Sequence, residues 1–69
     1  MNKVEALEKM KLGKKLTHTY FSRDEWITAH PDGFIFEDGN ICTSDEFWNN
    51  RKGHDWEWGW SLWINRGAK

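Results

Sequence analysis

The sequence predicts an α+β fold: an N-terminal helix packed on a small antiparallel sheet of four to five strands, with a short helix before the last strand. Three observations predict it. Apolar residues near the start recur at helical spacing. The middle of the chain alternates with period two and is punctuated by tight-turn residues. The stretch His54–Ile64 alternates again and carries four of the six tryptophans.

Taken in order, Asn2 caps the first helix and Glu5 completes an Asn-x-x-Glu capping box. Val4, Ala6, Leu7 and Met10 form its apolar stripe, Glu5 and Lys9 pair at i,i+4, and Lys9 and Lys11 suit the C-terminal dipole. Gly13 stops the helix, which spans Lys3–Leu12. Lys14–Tyr20 reads as a strand with Leu16, His18 and Tyr20 on one face and Lys15, Thr17 and Thr19 on the other. Ser22–Glu25 is a capping-box sequence that supports one helical turn. Trp26–Ala29 is strand-like, and Pro31-Asp32-Gly33 is a turn. Phe34–Glu37 and Asn40–Thr43 form a hairpin across Asp38-Gly39. Thr43-x-x-Glu46 opens a helix over Ser44–Lys52, with Gly53 as its stop.

In the tryptophan stretch, Trp56, Trp58, Trp60, Leu62 and Ile64 point one way, and Glu57, Gly59, Ser61 and Trp63 the other. Asn65–Lys69 is a polar tail that frays. Short connections make the sheet antiparallel, and residues 1–69 form a single domain.

At 69 residues the core supplies only about 3–5 kcal/mol of net stability, so aromatic packing or self-association must help. One cysteine, Cys42, excludes an internal disulfide and fits a reducing compartment. Three histidines and Cys42, at positions 18, 30, 42 and 54, lack the paired spacing of a zinc site. The net charge of −1, with signs interspersed, argues against nucleic acid as the main partner, despite the local cluster Lys9, Lys11, Lys14 and Lys15. No apolar run reaches membrane-span length and no secretory signal is present, so the expected location is the cytoplasm.

The aromatics admit two readings, a platform for a planar ligand or a core. Trp56, Trp58 and Trp60 are assigned to the core or a subunit interface. Trp63, with Trp26 and Trp48, is the better surface candidate, and a ring left over on one face predicts a homo-oligomer. Polar groups beside these rings could complete a ligand site: Arg23 and Arg51 for phosphate, Asp55 for a hydroxyl or base N–H, with His18, Tyr20, Asp24, His54 and Glu57 nearby. The histidines and Cys42 offer general-base or nucleophile chemistry in principle. Asp55 could orient one histidine, but Cys42 has no adjacent base or helix N-terminus assignable from sequence; no catalytic residue, cofactor or metal is expected and the chain is read as a non-enzyme.

Two segments together resemble a family of very small phage and bacterial proteins, the Thoeris anti-defence proteins and related anti-CRISPR proteins. They are Val4–Leu16, an Ala-Leu helix ended by Gly-Lys and followed by a strand, and Asp55-Trp56-Glu57 in the last strand. The family's Arg-x-x-Trp falls here on Thr17–Tyr20. Tyr20 replaces the stacking ring, whereas Thr17 cannot supply the arginine's charge. The resemblance implies a small helix-plus-sheet protomer that assembles into an oligomer. It further implies sequestration of cyclic nucleotide immune signals between subunits, without cleavage, in the host cytoplasm. On that reading Tyr20 with Trp26 or Trp48 stacks the base, Arg23 or Arg51 holds phosphate, and Asp55 takes the ribose or base edge. Trp56, Trp58, Trp60 and Trp63 serve the interface. The alternative is a protein–protein inhibitor or adaptor that docks on a host protein through exposed aromatics.

Overall fold

The structure is a computed structural model that describes residues 1–64; the tail expected to fray, 65–69, lies outside the described residues. The elements are α1 (Lys3–Lys11), β1 (Leu16–His18), β2 (Ile27–His30), β3 (Gly33–Phe36), β4 (Ile41–Cys42), α2 (Ser44–Asn49), a 3-10 turn (His54–Trp56) and β5 (Trp60–Leu62). All five strands join one antiparallel sheet in the order β4-β3-β2-β1-β5. This is the α+β architecture that the sequence predicts.

Both helices begin as their capping boxes require. Asn2 Oδ1 accepts the Glu5 N–H at 2.8 Å while Glu5 Oε1 accepts the Asn2 N–H at 2.9 Å. Thr43 and Glu46 repeat the exchange at α2. Alternation along the strands puts Leu16, Ile27, Phe34 and Trp60 on one sheet face, where they pack with Ala6 and Met10 of α1 and Phe47 of α2. Those seven residues are the buried core. The other face carries Lys15, Thr17, Trp26, Thr28, Ile35 and Trp63. Two hydroxyls on it bond to the backbone: Thr17 donates to the Glu25 carbonyl at 2.9 Å and Thr28 to the Lys14 carbonyl at 2.7 Å.

The turn between β2 and β3 demands glycine. Gly33 has φ +142, and a Cβ there would sit 2.7 Å from Thr43 Cα and 2.8 Å from Ser44 N. That close approach lets β4 and the start of α2 close over the hairpin. Among the described residues no helix is long and apolar enough to cross a membrane.

Three expectations need correction. The first strand is shorter than Lys14–Tyr20 and ends at His18; Phe21 N–H then donates to the His18 carbonyl in a turn. Helix α2 ends at Asn49, three residues before Lys52, and the Arg51 side chain donates to the Phe47 carbonyl of its last turn. The tryptophan stretch is a strand only from Trp60 to Leu62. His54–Trp56 is a 3-10 turn, and Gly59, at φ +89, reverses the path before the strand. Trp56, Trp58 and Trp60 therefore do not share one environment: Trp60 is buried, Trp56 is half-buried and Trp58 is exposed.

Candidate functional site

His18 organises one end of the sheet. It is only 4% exposed, yet each ring nitrogen is satisfied. Nε2 lies 3.0 Å from the Asp55 carbonyl and 2.7 Å from the Trp58 carbonyl. Both are acceptors, so Nε2 carries the proton. Nδ1 accepts the Tyr20 N–H at 3.1 Å. This is the neutral Nε2–H tautomer. The ring also stacks on Trp56 at 4.2 Å and meets Trp60 edge-on at 4.8 Å. A histidine satisfied in this way is a structural pin and has no free nitrogen for general-base work.

The loop it pins is held along its whole length. The carbonyls of residues 55 to 60 all accept hydrogen bonds, five of the six from outside the loop. The donors are His18 to Asp55 and Trp58, the Trp60 indole to Trp56, Lys3 N–H to Glu57, Thr19 N–H to Gly59 and the Met1 ammonium to Trp60. The backbone path of this loop is therefore set before any ligand arrives.

Two openings flank the loop. The first is a cleft of about 300 Å³ walled by Tyr20 and Trp58, with Asp55, His54 and Gly59. A Cβ at Gly59 would lie 2.8 Å from Thr19 Oγ1, so only glycine lets the loop pass this closely. Asp55 holds the Tyr20 phenol pKa above its ordinary value near 10, first through its negative charge, then as an acceptor toward the hydroxyl, and last by burial. Tyr20 is the only tyrosine, so an ultraviolet absorbance titration of phenolate reads it alone. Asp55→Asn is expected to lower that pKa toward 10; an unchanged titration would refute the pairing. The sign for stability follows. Above pH 10 the unfolded chain's phenol loses its proton before the folded one's, so stability falls as pH rises through that window.

The second opening is a groove of about 520 Å³ between the start of α1 and α2, lined by Trp48 with Lys3, Arg51 and Lys52 and by the acids Asp45 and Glu57, among others. Lys3 Nζ lies 4.0 Å from the Trp48 ring centroid. The Arg51 guanidinium lies 4.2 Å from the Phe47 ring centroid and 5.7 Å from that of Trp56.

The six residues proposed for the ligand thus fall in four places. Tyr20 and Asp55 line the cleft. Trp48 and Arg51 line the groove. Arg23 is exposed on the β1–β2 connection. Trp26 is on the open sheet face, where it meets Trp63 at 6.0 Å with Lys15 Nζ 4.5 Å from its own ring centroid. Of the four tryptophans assigned to core or interface, Trp60 is core, Trp56 stacks on His18, and Trp63 joins Trp26. Trp58 instead forms a cleft wall. The sequence reading missed this, and missed Lys3 and Lys52 as groove residues. No local pattern marks them, because the groove forms where the start of α1 comes beside α2 and the segment that follows it.

Burial pushes the Cys42 thiol above its ordinary pKa, opposed by Arg51 and reinforced by Glu46, which disfavours the nucleophilic thiolate. Among the described residues no group of three His, Cys, Asp or Glu side chains is placed to hold a metal ion. No family model matches the chain, no curated protein matches it, and no solved structure matches it.

Proposed function

We propose that this chain is a binding protein that sequesters a small anionic nucleotide without transforming it. The observation that carries the reading is the groove in which one indole, Trp48, stands with three cations, Lys3, Arg51 and Lys52, among three carboxylates, Asp45, Glu46 and Glu57. Its volume of about 520 Å³ suits a nucleotide. Trp48 stacks the base once Lys3 swings off the ring, Arg51 and Lys52 hold phosphate, and Glu57 or Asp45 takes a ribose hydroxyl or a base N–H. Of the stacking and phosphate pairs considered, this favours Trp48 with Arg51 over pairs that use Tyr20, Trp26 or Arg23. The most concrete version is a phage-type anti-defence sponge for a cyclic nucleotide immune signal, a reading that rests on the family resemblance.

Self-association completes this reading, with a second subunit closing the open groove. Thr19 N–H donates to the Gly59 carbonyl and Trp63 N–H to the Lys15 carbonyl. Odd-numbered residues of β5 therefore bond to β1, and the N–H and C=O of Leu62 point away from the sheet. The Met1 ammonium takes the outward Trp60 carbonyl on this edge, while Leu62 and Ile64 beyond it are exposed and open to pairing with another copy.

Thermal melting against a panel of cyclic dinucleotides and cyclic ADP-ribose isomers tests the proposal. A true ligand at a hundredfold excess over Kd adds about 2.7 kcal/mol to stability and raises the melting temperature. Chromatography should return it unaltered, since turnover would indicate an enzyme. If no ligand on the panel shifts melting, the sponge reading fails. The second reading, docking on a host protein, is favoured by one observation: the Trp26–Trp63 pair lies on a sheet face that neither helix covers. Co-purification of a host protein that Trp63→Ala abolishes would select it.

A further inference from the structure

Beside the groove, whose lining carries charges of both signs, lies a second opening without a lysine or arginine among the described residues. The Tyr20–Trp58–Asp55 cleft has a carboxylate and two aromatic walls. Its rings are open to solvent, with Tyr20 60% and Trp58 54% exposed. The other indoles show what is missing here. Trp48 carries the Lys3 ammonium, Trp26 and Trp63 share Lys15, Trp56 faces Arg51, and Trp60 is buried in the core. Among the described residues, Trp58 alone has neither a cation nor another ring against it. It is also the indole that shares a cleft with Asp55.

We propose that this cleft binds an organic cation, an alkylated ammonium or a guanidinium group. An aromatic face attracts a cation through its quadrupole, and the attraction grows when a carboxylate lies within reach and water is partly excluded. Tyr20 and Trp58 supply the faces, and Asp55 supplies the countercharge. The carbonyl-pinned loop fixes the backbone of Asp55 and Trp58, so only their side chains need be ordered on binding. Such a cation could belong to a free small molecule or to a lysine or arginine side chain of another protein; the chemistry recognised is the same. The site is independent of the Trp48 groove, which is built from different residues, so either can fail without the other.

The test titrates the folded protein with choline and with its neutral isostere, in which carbon replaces nitrogen. A parallel pair is arginine amide and the uncharged citrulline amide. Binding is followed by the NMR shift of the Trp58 indole N–H. At least one cation is expected to bind about tenfold or more tightly than its neutral counterpart. Asp55→Asn and Trp58→Leu are each expected to weaken it by a similar factor. Both side chains are exposed, and an unchanged circular dichroism spectrum will verify that each variant is folded. A preference for choline identifies an alkylammonium site, and a preference for arginine amide a guanidinium site. Equal binding of a cation and its neutral partner, no binding of either cation, or an unaltered affinity in either folded variant overturns the proposal.

Discussion

Trp60→Ala is expected to abolish the folded state at 25 °C. Trp60 is 2% exposed. Its ring meets Phe21 edge-on at 5.8 Å, His18 at 4.8 Å and Trp48 at 6.0 Å, and its indole N–H donates to the Trp56 carbonyl at 2.9 Å. Truncating a buried tryptophan to alanine costs about 3–5 kcal/mol. A core in a domain this short supplies about the same amount. The loss therefore consumes the whole stability of the monomer. Near-ultraviolet circular dichroism should collapse and the cooperative melt should vanish. Trp60→Phe keeps most of the volume but leaves the Trp56 carbonyl without its donor, and is expected to fall between the two. A cooperative melt for Trp60→Ala near the parent midpoint would show that the core lies elsewhere.

His18→Phe is the second large effect. Phenylalanine preserves a ring against Trp56 and Trp60 but strips both nitrogens. The Asp55 and Trp58 carbonyls lose their donor, and the Tyr20 N–H loses its acceptor. An unsatisfied buried polar group costs about 1–3 kcal/mol. Water can reach some of these groups once the loop loosens, so about 2 kcal/mol is expected in total. For a domain of this size that lowers the melting temperature by roughly 8–16 °C. The loss should be local as well as global: resonances of residues 54–59 should broaden or shift, while those of the β2–β3 hairpin hold. An unchanged midpoint would reduce His18 to a space-filling ring.

Much of the fold is legible in the sequence where local chemistry decides it. Asn2 with Glu5 and Thr43 with Glu46 announce two helix starts, and both capping boxes form. Asp38-Gly39 announces a hairpin, and Asp38 indeed accepts the Asn40 N–H at 3.0 Å. The placement of Trp63 opposite Trp60 follows from period two, because those residues do lie at a strand. The same period misleads at Trp56 and Trp58. Their alternation imitates a strand, but the chain there is a turn held by carbonyl acceptors. Main-chain carbonyls are the same at every residue and leave no mark in a sequence. His18 is hidden for the same reason: its Nε2 partners are carbonyls 37 and 40 positions away. The candidate sites share this limit. That Trp48 keeps company with Lys3, and Trp58 with Tyr20, is a product of tertiary path alone.

The strand order carries a consequence for how the chain reaches its native state. Strands β1 to β4 are sequential neighbours and can zip up through short connections. Strand β5 must instead return across α2 to pair with β1, matching Ser61 to Thr17 and Trp60 to His18. Closing so long a loop is entropically costly and slows folding relative to local hairpins. Until it closes, β1 is an open edge, Trp60 has no core to enter, and His18 lacks its carbonyl partners. The four-strand meander can therefore form early, but cooperative stability arrives only with the last strand. Folding and the construction of the cation cleft are then the same kinetic event, because Trp58 and Asp55 reach Tyr20 only as β5 docks.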